Sequence, residues 1–263
     1  MSLLEVKDFG VEFHDHLTPE KVVEHVSFTL DEGEILGIVG ESGSGKSMTA
    51  LAIAGLLPRK KMIKEGEILF EGKDLLTMHR SELRGLQGDE ICMIFQEPMT
   101  ALNPTMKIGR QVEEALRIHH KDMSPEDRKK RAIECLENVE LKDAEAVYDS
   151  YPHELSGGMR QRVMIAAAMV GHPKLLIADE PTTALDVTVQ AQIIKLLKKL
   201  NKKEKLSILF ISHDLSLIEQ ISDKVQVMQR GRIVEQGSVE QIFKDPKEEY
   251  TKQLIGAIPE VKL

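Results

Sequence analysis

Gly40-Glu41-Ser42-Gly43-Ser44-Gly45-Lys46-Ser47 is the stretch around which the rest of the chain is organised. A short apolar run, residues 35–39, precedes it, and a run compatible with a helix, residues 48–57, follows it. Strand, glycine-rich loop and helix form the context in which the pattern G-x-x-x-x-G-K-[ST] predicts a phosphate-binding loop. The alternative, a chance glycine-rich turn before a helix, leaves the complete match to the pattern unexplained.

The residue types of this stretch suit a chain of phosphates. Glycines let the backbone curl so that successive N–H groups point at one anion. The helix that follows adds unpaired N–H groups and the positive end of its dipole. Lys46 brings a full positive charge to the outer phosphates, and Ser47 offers a hydroxyl to Mg²⁺, which prefers hard oxygen ligands. The sequence therefore predicts a site for a phosphate chain and its magnesium ion.

Length and composition limit the classes of protein that this chain can belong to. Its 263 residues, 41% of them hydrophobic, suit one large α/β domain or one domain plus a small lobe. The net charge of −8 argues against broad affinity for nucleic acid, which requires a basic face. Cys92 and Cys135 form neither a disulfide framework nor a zinc site, which indicates a reducing, cytosolic setting. The start of the chain has acidic residues where a signal peptide would have a basic region, so no signal peptide is expected. No apolar run approaches the roughly 18 residues that a membrane span needs, so no membrane span is expected either.

Polar side chains end three apolar runs that read as buried strands. These are Gln96 after residues 91–95, Asp179 and Glu180 after residues 175–178, and His213 after residues 207–211 and Ser212. In open parallel sheets, ligands bind outside the carboxyl ends of the strands. The two acids point opposite ways on an extended strand, so one can bind the Mg²⁺ shell and the other can address the attacking water. The alternative for the two acids is that they are merely solvated strand ends. For Gln96 a solvated loop residue, and for His213 a structural histidine, are as well supported as a role at the ligand.

Helical spacing replaces strand patterns between about residues 104 and 163, which predicts a helical insertion. Ser124-Pro125-Glu126-Asp127 is a good helix start. Farther on, Ser156 can cap the apolar helix of residues 163–170, and Gly157-Gly158 leave its first N–H groups open to an anion. An ordinary serine cap explains the same residues, and physical chemistry alone leaves both possibilities open.

Outside these motifs, strands are expected at residues 2–9, 22–30 and 64–70 and as a hairpin at 225–229 and 232–236, and two short helices close the chain. Phe13 is a candidate to stack on an adenine ring, although a phenylalanine in a strand is more often part of a core. The pairs His14/His16 and His119-His120 lack carboxylate or cysteine neighbours, so they are interpreted as surface histidines rather than metal ligands.

Taken together, the motifs resemble the nucleotide-binding subunit of an ATP-binding cassette (ABC) transporter, over nearly the whole chain and in the family's order. They are Walker A at Gly40–Ser47, the Q-loop at Gln96, the signature Leu155-Ser156-Gly157-Gly158-Met159, Walker B at Leu175–Glu180, the D-loop Ala184-Leu185-Asp186 and the switch histidine His213. The signature separates this family from other phosphate-loop ATPases.

The resemblance implies an α/β fold: a P-loop NTPase, RecA-like core with a mostly parallel sheet, an N-terminal antiparallel β-subdomain and an inserted α-helical subdomain. A single ABC ATPase domain would span 1–263. Its catalytic core would comprise 1–103 and 164–240, its helical signature subdomain 104–163 and a short helical tail 241–263.

The resemblance also implies a role for each motif, with ATP and Mg²⁺ as cofactors. Lys46 and the loop from Gly40 to Ser47 would hold the phosphates, and Ser47, Gln96 and Asp179 would organise Mg²⁺. Glu180 would polarise the water and His213 would contact the γ-phosphate. Phe13 aligns with the adenine-stacking aromatic, while Ser156, Gly157 and Gly158 would contact the nucleotide of a partner subunit. The sequence agrees with that last role, since it offers two anion-receiving helix N-termini but one Lys46.

The likeness is greater to the peptide/nickel importer branch. It rests on residues 95–104, residues 179–192 and the tail motif from Tyr250-Thr251 to Ile258-Pro259. Met159 replaces the glutamine that often ends the signature in the general family, and methionine looks normal in this branch. The chain stops soon after Pro259, whereas longer peptide-type relatives carry a cysteine-bearing extension, and this difference tilts the expectation towards nickel or a short peptide-type subunit.

The branch implies import through separate membrane permease subunits, at the cytoplasmic face of the membrane. A paralogous second ATPase would complete an ATP sandwich, an extracellular binding protein would take part indirectly, and no nucleic-acid partner is expected. The helical insertion and the stretch after Gln96 would form the groove for the permease. The alternative is a non-transport ABC ATPase of the DNA-repair or ribosome-associated type, which would need a long coiled coil, a basic face or two cassettes.

Overall fold

Contacts within the chain divide it into two compact units, residues 1–83 with 207–263 and residues 84–206. The computed structural model describes residues 2–14, 19–57, 62–95, 101–183 and 185–257. The predicted boundaries of the core, helical and tail parts do not correspond one to one with these units and stay predictions.

The first unit begins with an antiparallel sheet. Its strands are β1 (Ser2–Phe13), β2 (Glu20–Asp31), β4 (Met62–Phe70) and β5 (Lys73–Asp74), in the order β2-β1-β4-β5. Val26, Phe28 and Leu30 of β2 are buried and alternate with exposed residues, because successive side chains of a strand point to opposite faces. The predicted strands at 2–9 and 22–30 are confirmed. Strand β1 continues to Phe13, and β2 begins two residues earlier and ends one residue later than predicted.

The first unit also contains strands β3 (Ile35–Val39), β8 (Ser207–Ser212), β9 (Lys224–Gln229) and β10 (Arg232–Ser238). They lie in the order β10-β9-β3-β8, and β3 is parallel to both β8 and β9. Every residue of β3 and β8 is buried, which is typical of parallel strands covered on both faces. The antiparallel pair of β9 and β10 confirms the predicted hairpin.

The second unit pairs two parallel strands, β6 (Ile91–Ile94) and β7 (Leu175–Asp179), and is otherwise helical. Residues 84–86, the end of helix α2 (Arg80–Leu86), belong to this unit. Its other helices are α3 (Ile108–Val112), α4 (Glu114–His119), α5 (Pro125–Asn138), α6 (Ala144–Asp149), α7 (Gly157–Met169) and α8 (Val187–Glu204). The predicted helix start at Ser124 is confirmed, because its hydroxyl accepts the backbone N–H of Asp127 at 3.1 Å.

The remaining helices belong to the first unit: α1 (Lys46–Ile53), α9 (Leu215–Ile221), α10 (Val239–Lys244) and α11 (Glu249–Gly256). Helix α1 ends four residues before the predicted Leu57, because Gly55 adopts a left-handed conformation (φ 68°) that stops a helix. The two predicted closing helices are confirmed. In the described part of the chain, no helix combines the length and apolar character needed to cross a bilayer.

Candidate functional site

The phosphate-loop stretch connects β3 to α1, as the sequence predicts. Gly45 occupies the N-cap position with φ 100°, and no side chain caps this end of α1. Such a φ favours glycine, because a Cβ atom would clash with the backbone. A helix start without a side-chain cap directs its N-terminal N–H groups and the positive end of its dipole at whatever the loop encloses. This is the geometry of an anion site.

Close contacts with β9 and β2 hold the loop in place. A Cβ added to Gly40 would meet the carbonyl oxygen of Met228 at 2.0 Å, and one added to Gly45 would meet the Val22 carbonyl oxygen at 3.0 Å. The N–H of Gly231 donates to the Ser44 carbonyl at 3.0 Å. The loop therefore has little freedom to move away from these strands.

Lys46 lies inside the loop and is only 4% exposed. Its Nζ donates to the carbonyl oxygens of Gly40 and Glu41, both at 2.8 Å, and lies 3.5 Å from the Ser44 hydroxyl. A buried ammonium group is tolerated only where such acceptors replace its water. The loop thus carries a full positive charge beside the open helix start, which is what a chain of phosphates requires.

His213 lies at the same sheet edge as the phosphate loop. In the parallel pairing of β3 and β8, Val39 stands opposite Ser212, so Gly40 and His213 both follow directly at the carboxyl end. His213 is exposed, and Asp214 next to it caps α9 by accepting the Ser216 N–H at 2.8 Å. The structure therefore brings these two predicted parts together within the first unit, while the contact of His213 with a γ-phosphate stays a prediction.

In the second unit, the two predicted acids lie at the carboxyl end of β7. Asp179 is its last residue and is 9% exposed. Glu180 follows with φ 48°, and one carboxylate oxygen accepts the Thr183 hydroxyl at 3.0 Å. Strand β6 ends alongside, with Ile94 opposite Ala178. Gln96, two residues after β6, lies outside the described residues, as does Ala184 of the D-loop.

The predicted magnesium ligands are hard oxygen donors. Ser47 offers a hydroxyl in the first unit and Asp179 a carboxylate in the second, and their binding of one ion stays a prediction. Within the residues that the structure describes, no group of three or more His, Cys, Asp or Glu side chains is arranged to hold a metal.

The signature stretch forms the start of α7. Ser156 is its N-cap, and its hydroxyl accepts the Met159 N–H at 3.4 Å, so the predicted serine cap is confirmed. Gly157 is exposed, and a Cβ there would meet its nearest neighbour, Leu185, at an ordinary 3.8 Å. A Cβ on Gly158 would instead meet Val189 of α8 at 2.9 Å. Contact of Ser156, Gly157 and Gly158 with a nucleotide stays a prediction.

Sequence reasoning missed two contacts of these motifs. It did not connect Val189 with Gly158, and it noted Tyr250 only as part of a tail motif. In the structure, the Tyr250 hydroxyl accepts the backbone N–H of Glu41 in the phosphate loop at 3.1 Å. The one available signal was that Tyr250 belonged to a motif with no assigned role.

Phe13 is half-buried at the end of β1, where it pairs with Glu20 and Met62 of the neighbouring strands. Its stacking on adenine stays a prediction. Ile258 and Pro259 of the tail motif lie outside the described residues.

A cavity of about 350 Å³ opens in the second unit. Its apolar lining includes Met93, Phe95, Leu102, Ile118 and Met164. Phe95 and Ile118 are 44% and 56% exposed, which is unusual for large apolar side chains. The cavity therefore presents exposed apolar side chains on the second unit.

Comparison with known proteins decides the family. Residues 23–183 match the family described as ABC transporter. The chain belongs to the ABC transporter family. This ABC ATPase is 53% identical to the oligopeptide transport ATP-binding protein OppD of Bacillus subtilis (strain 168), over 98% of this chain and 72% of that protein. It is 50% identical to the dipeptide transport ATP-binding protein DppD of Haemophilus influenzae, over 99% of this chain and 78% of that protein.

Solved structures of ABC ATPases agree with the fold. A dimeric post-hydrolysis state of the ATP-binding cassette MJ0796, bound to ADP and Pi, has a TM-score of 0.79 at 30% identity and covers 90% of this chain and 98% of its own. The cbiO1 subunit from Clostridium perfringens, part of a cbiONQ transporter complex, has a TM-score of 0.79 at 28% identity, over 93% of this chain and 91% of its own. The predicted family, its P-loop α/β fold and its ATPase activity are confirmed.

Proposed function

We propose that this ABC ATPase binds Mg²⁺–ATP and uses its hydrolysis to power the import of peptides through a separate membrane permease. The observation that carries the proposal is the phosphate loop, with Lys46 buried against its carbonyl oxygens and the start of α1 left without a side-chain cap. The names of the relatives, oligopeptide and dipeptide transport proteins, favour peptide over nickel as the cargo. They likewise disfavour a DNA-repair or ribosome-associated role.

In this function each motif residue has one task. Lys46 and the loop amides hold the phosphates, and Ser47, Gln96 and Asp179 organise the magnesium ion, which neutralises charge that develops on the phosphates. Glu180 polarises the attacking water, and His213 contacts the γ-phosphate. Phe13 is the proposed stacking partner of the adenine ring.

The signature completes the site of a second, paralogous ATPase subunit. The first turn of α7 contains no acidic residue, and its exposed Gly157 leaves the helix start open to an anion. Each ATP would then lie between the phosphate loop of one subunit and the signature of another, and hydrolysis would release the pair. The structural neighbour MJ0796, a dimer with ADP and Pi, supports this arrangement.

The cavity beside Phe95 and Ile118 is the proposed docking site for the permease. Its exposed apolar lining suits an apolar segment of a partner, and its polar rim, which includes Gln111 and Glu114, suits the ends of such a segment. Docking there would hold the ATPase at the cytoplasmic face of the membrane. The substitution Ile118→Glu is expected to abolish recovery with permease-containing membranes. Ile63→Glu, at a 47% exposed position in the first unit, against 56% for Ile118, is expected to leave recovery unchanged.

Reconstitution tests the proposal directly. The ATPase, its paralogue and the permease are placed in proteoliposomes with the binding protein, and ATP-driven uptake of a labelled peptide is measured against uptake of Ni²⁺. Peptide uptake that Glu180→Gln abolishes supports the proposal; nickel uptake without peptide uptake contradicts it.

Sedimentation of Glu180→Gln with its paralogue tests the sandwich. Hydrolysis is blocked in this variant, so association is expected with ATP and absent without it. Equal association in both conditions would contradict the shared site.

A further inference from the structure

Helix α11, near the end of the described chain, is fixed to the first unit at its start. The backbone N–H groups of Lys247 and Glu248, just before the helix, donate to the two carboxylate oxygens of Glu235 at 2.7 and 3.1 Å. Thr251, in the first turn, is completely buried. The position of the helix is therefore set by a strand of the sheet and by packing.

The same turn places Tyr250 against the phosphate loop. Its hydroxyl oxygen accepts the Glu41 N–H at 3.1 Å, across 209 residues of sequence. The side chain is half-buried, and burial raises the pKa of its phenol. The group therefore stays a neutral hydroxyl at physiological pH, with an oxygen available to the Glu41 N–H.

This hydrogen bond and one made by Lys46 hold the same peptide unit. The carbonyl of Gly40 and the N–H of Glu41 belong to one planar peptide group. Lys46 donates to that carbonyl at 2.8 Å, while Tyr250 accepts from that N–H. Because the group is planar, contacts at both ends fix its orientation, and a rotation of the plane would break both.

We propose that Tyr250 is a positioning residue of the nucleotide site, which holds the Gly40–Glu41 peptide group so that the phosphate loop is preorganised for triphosphate. The inference rests on the proposed ATP site and extends it to the tail helix. A loop that reaches its binding-competent shape for only part of the time loses apparent affinity in proportion. One hydrogen bond of ordinary net strength corresponds to a change of roughly three- to tenfold in such an equilibrium.

The hydroxyl of Tyr250 is not needed to dock α11. Glu235 and the buried Thr251 anchor the helix, and a phenylalanine ring would keep the packing of the tyrosine ring. Loss of the hydroxyl should therefore affect the loop far more than the stability of the fold. This difference separates a positioning role from a structural one.

The test uses the full chain with Tyr250→Phe. The KM for ATP and its dissociation constant are expected to rise about three- to tenfold, with kcat within about twofold, because Tyr250 touches no reacting atom. Hydrogen–deuterium exchange without nucleotide is expected to accelerate at the amide of Glu41. The melting temperature should stay within about 2 °C of wild type.

Tyr148→Phe is the matched control. It also removes a bonded tyrosine hydroxyl, which donates to Glu113 in the second unit, and it should leave ATP affinity unchanged. Unchanged affinity and exchange in Tyr250→Phe would overturn the inference. So would an affinity loss matched by a fall in melting temperature, since the hydroxyl would then act on the fold. If wild type binds no ATP, the proposed function itself fails.

Discussion

The phosphate loop and the signature each lead into a helix, but the two helix starts differ in their capping and in the charge beside them. At α1 the N-cap is Gly45, no side chain caps the helix, and Lys46 supplies a buried positive charge. At α7 the hydroxyl of Ser156 caps the helix itself. The first helix start therefore has a buried cation beside it and no side-chain cap, whereas at the second start Ser156 accepts one N–H group and no lysine corresponds to Lys46.

This difference indicates that the two starts have unequal shares in binding. A multiply charged triphosphate needs a cation and several N–H groups, and the phosphate loop provides both. The start of α7, which Ser156 caps and which has no such lysine, would add to a nucleotide already held elsewhere. The comparison thus supports a site that is strong at the loop and completed by a signature.

The strongest test of the comparison removes the charge at the loop. Lys46→Ala is expected to reduce ATP hydrolysis by at least about 100-fold, because it removes a charge that stabilises the developing phosphate charge, and to weaken ATP binding as well. Steady-state phosphate release and nucleotide titration measure the two effects. Lys199→Ala, at an exposed lysine paired with Glu140, serves as the control and should behave like wild type. Retained turnover in Lys46→Ala would mean that the lysine charge does not distinguish the phosphate loop from the signature.

A second test asks why the signature has a glycine at position 158. Gly158→Ala places a methyl group 2.9 Å from the Cγ1 atom of Val189, which is too close, so the Val189 side chain or α7 must shift. We expect ATPase activity of the assembled pair to fall roughly 10-fold or more, since small misplacements are costly in catalysis. The variant Gly158→Ala/Val189→Ala restores the space and should recover most of the activity.

The control for that test is Gly157→Ala, whose new methyl group meets only Leu185 at 3.8 Å. Val189 cannot relieve a defect there, so Gly157→Ala/Val189→Ala should be no more active than Gly157→Ala. If the second substitution fails to rescue Gly158→Ala, the glycine serves the close approach of a ligand rather than the contact with Val189.

Sequence reasoning succeeded where chemistry is contained in a contiguous stretch. The loop, its flanking strand and helix, and the acids at the end of β7 are each read from neighbouring residues with known backbone periods. It failed where two distant segments meet: Glu41 and Tyr250 are separated by 209 positions, and nothing in either stretch indicates the other. Helix α1 was predicted too long because a local apolar pattern continues past Gly55, whose left-handed backbone ends the helix.

A smaller effect separates the two possible roles of Ser156. Ser156→Ala and Ser124→Ala each remove a serine cap in the same unit, and each is expected to cost about 1 kcal/mol of the free energy of unfolding. Only Ser156→Ala should also reduce ATPase activity in the assembled pair. Denaturant unfolding and phosphate release measure the two quantities. Equal activity of the two variants would show that Ser156 is a cap and nothing more.

The smallest expected effect uses pH to weaken the signature's unit through its two buried thiols. Both cysteines belong to that unit, and burial raises the pKa of Cys92 to about 12 and that of Cys135 to about 11, from 9.0. Above pH 9 an unfolded thiol loses its proton while the folded one keeps it, so stability falls as pH rises. Between pH 8 and pH 10 this loss is about 1 kcal/mol per thiol.

Chemical unfolding at pH 8 and pH 10 measures this loss, with Cys92→Ala and Cys135→Ala as comparisons. Each alanine variant starts from a lower stability because it creates a small cavity, so the quantity to compare is the change between the two pH values. That change should be smaller by about 1 kcal/mol in each variant than in wild type. An identical change would mean that the thiols do not make the stability of the signature's unit depend on pH.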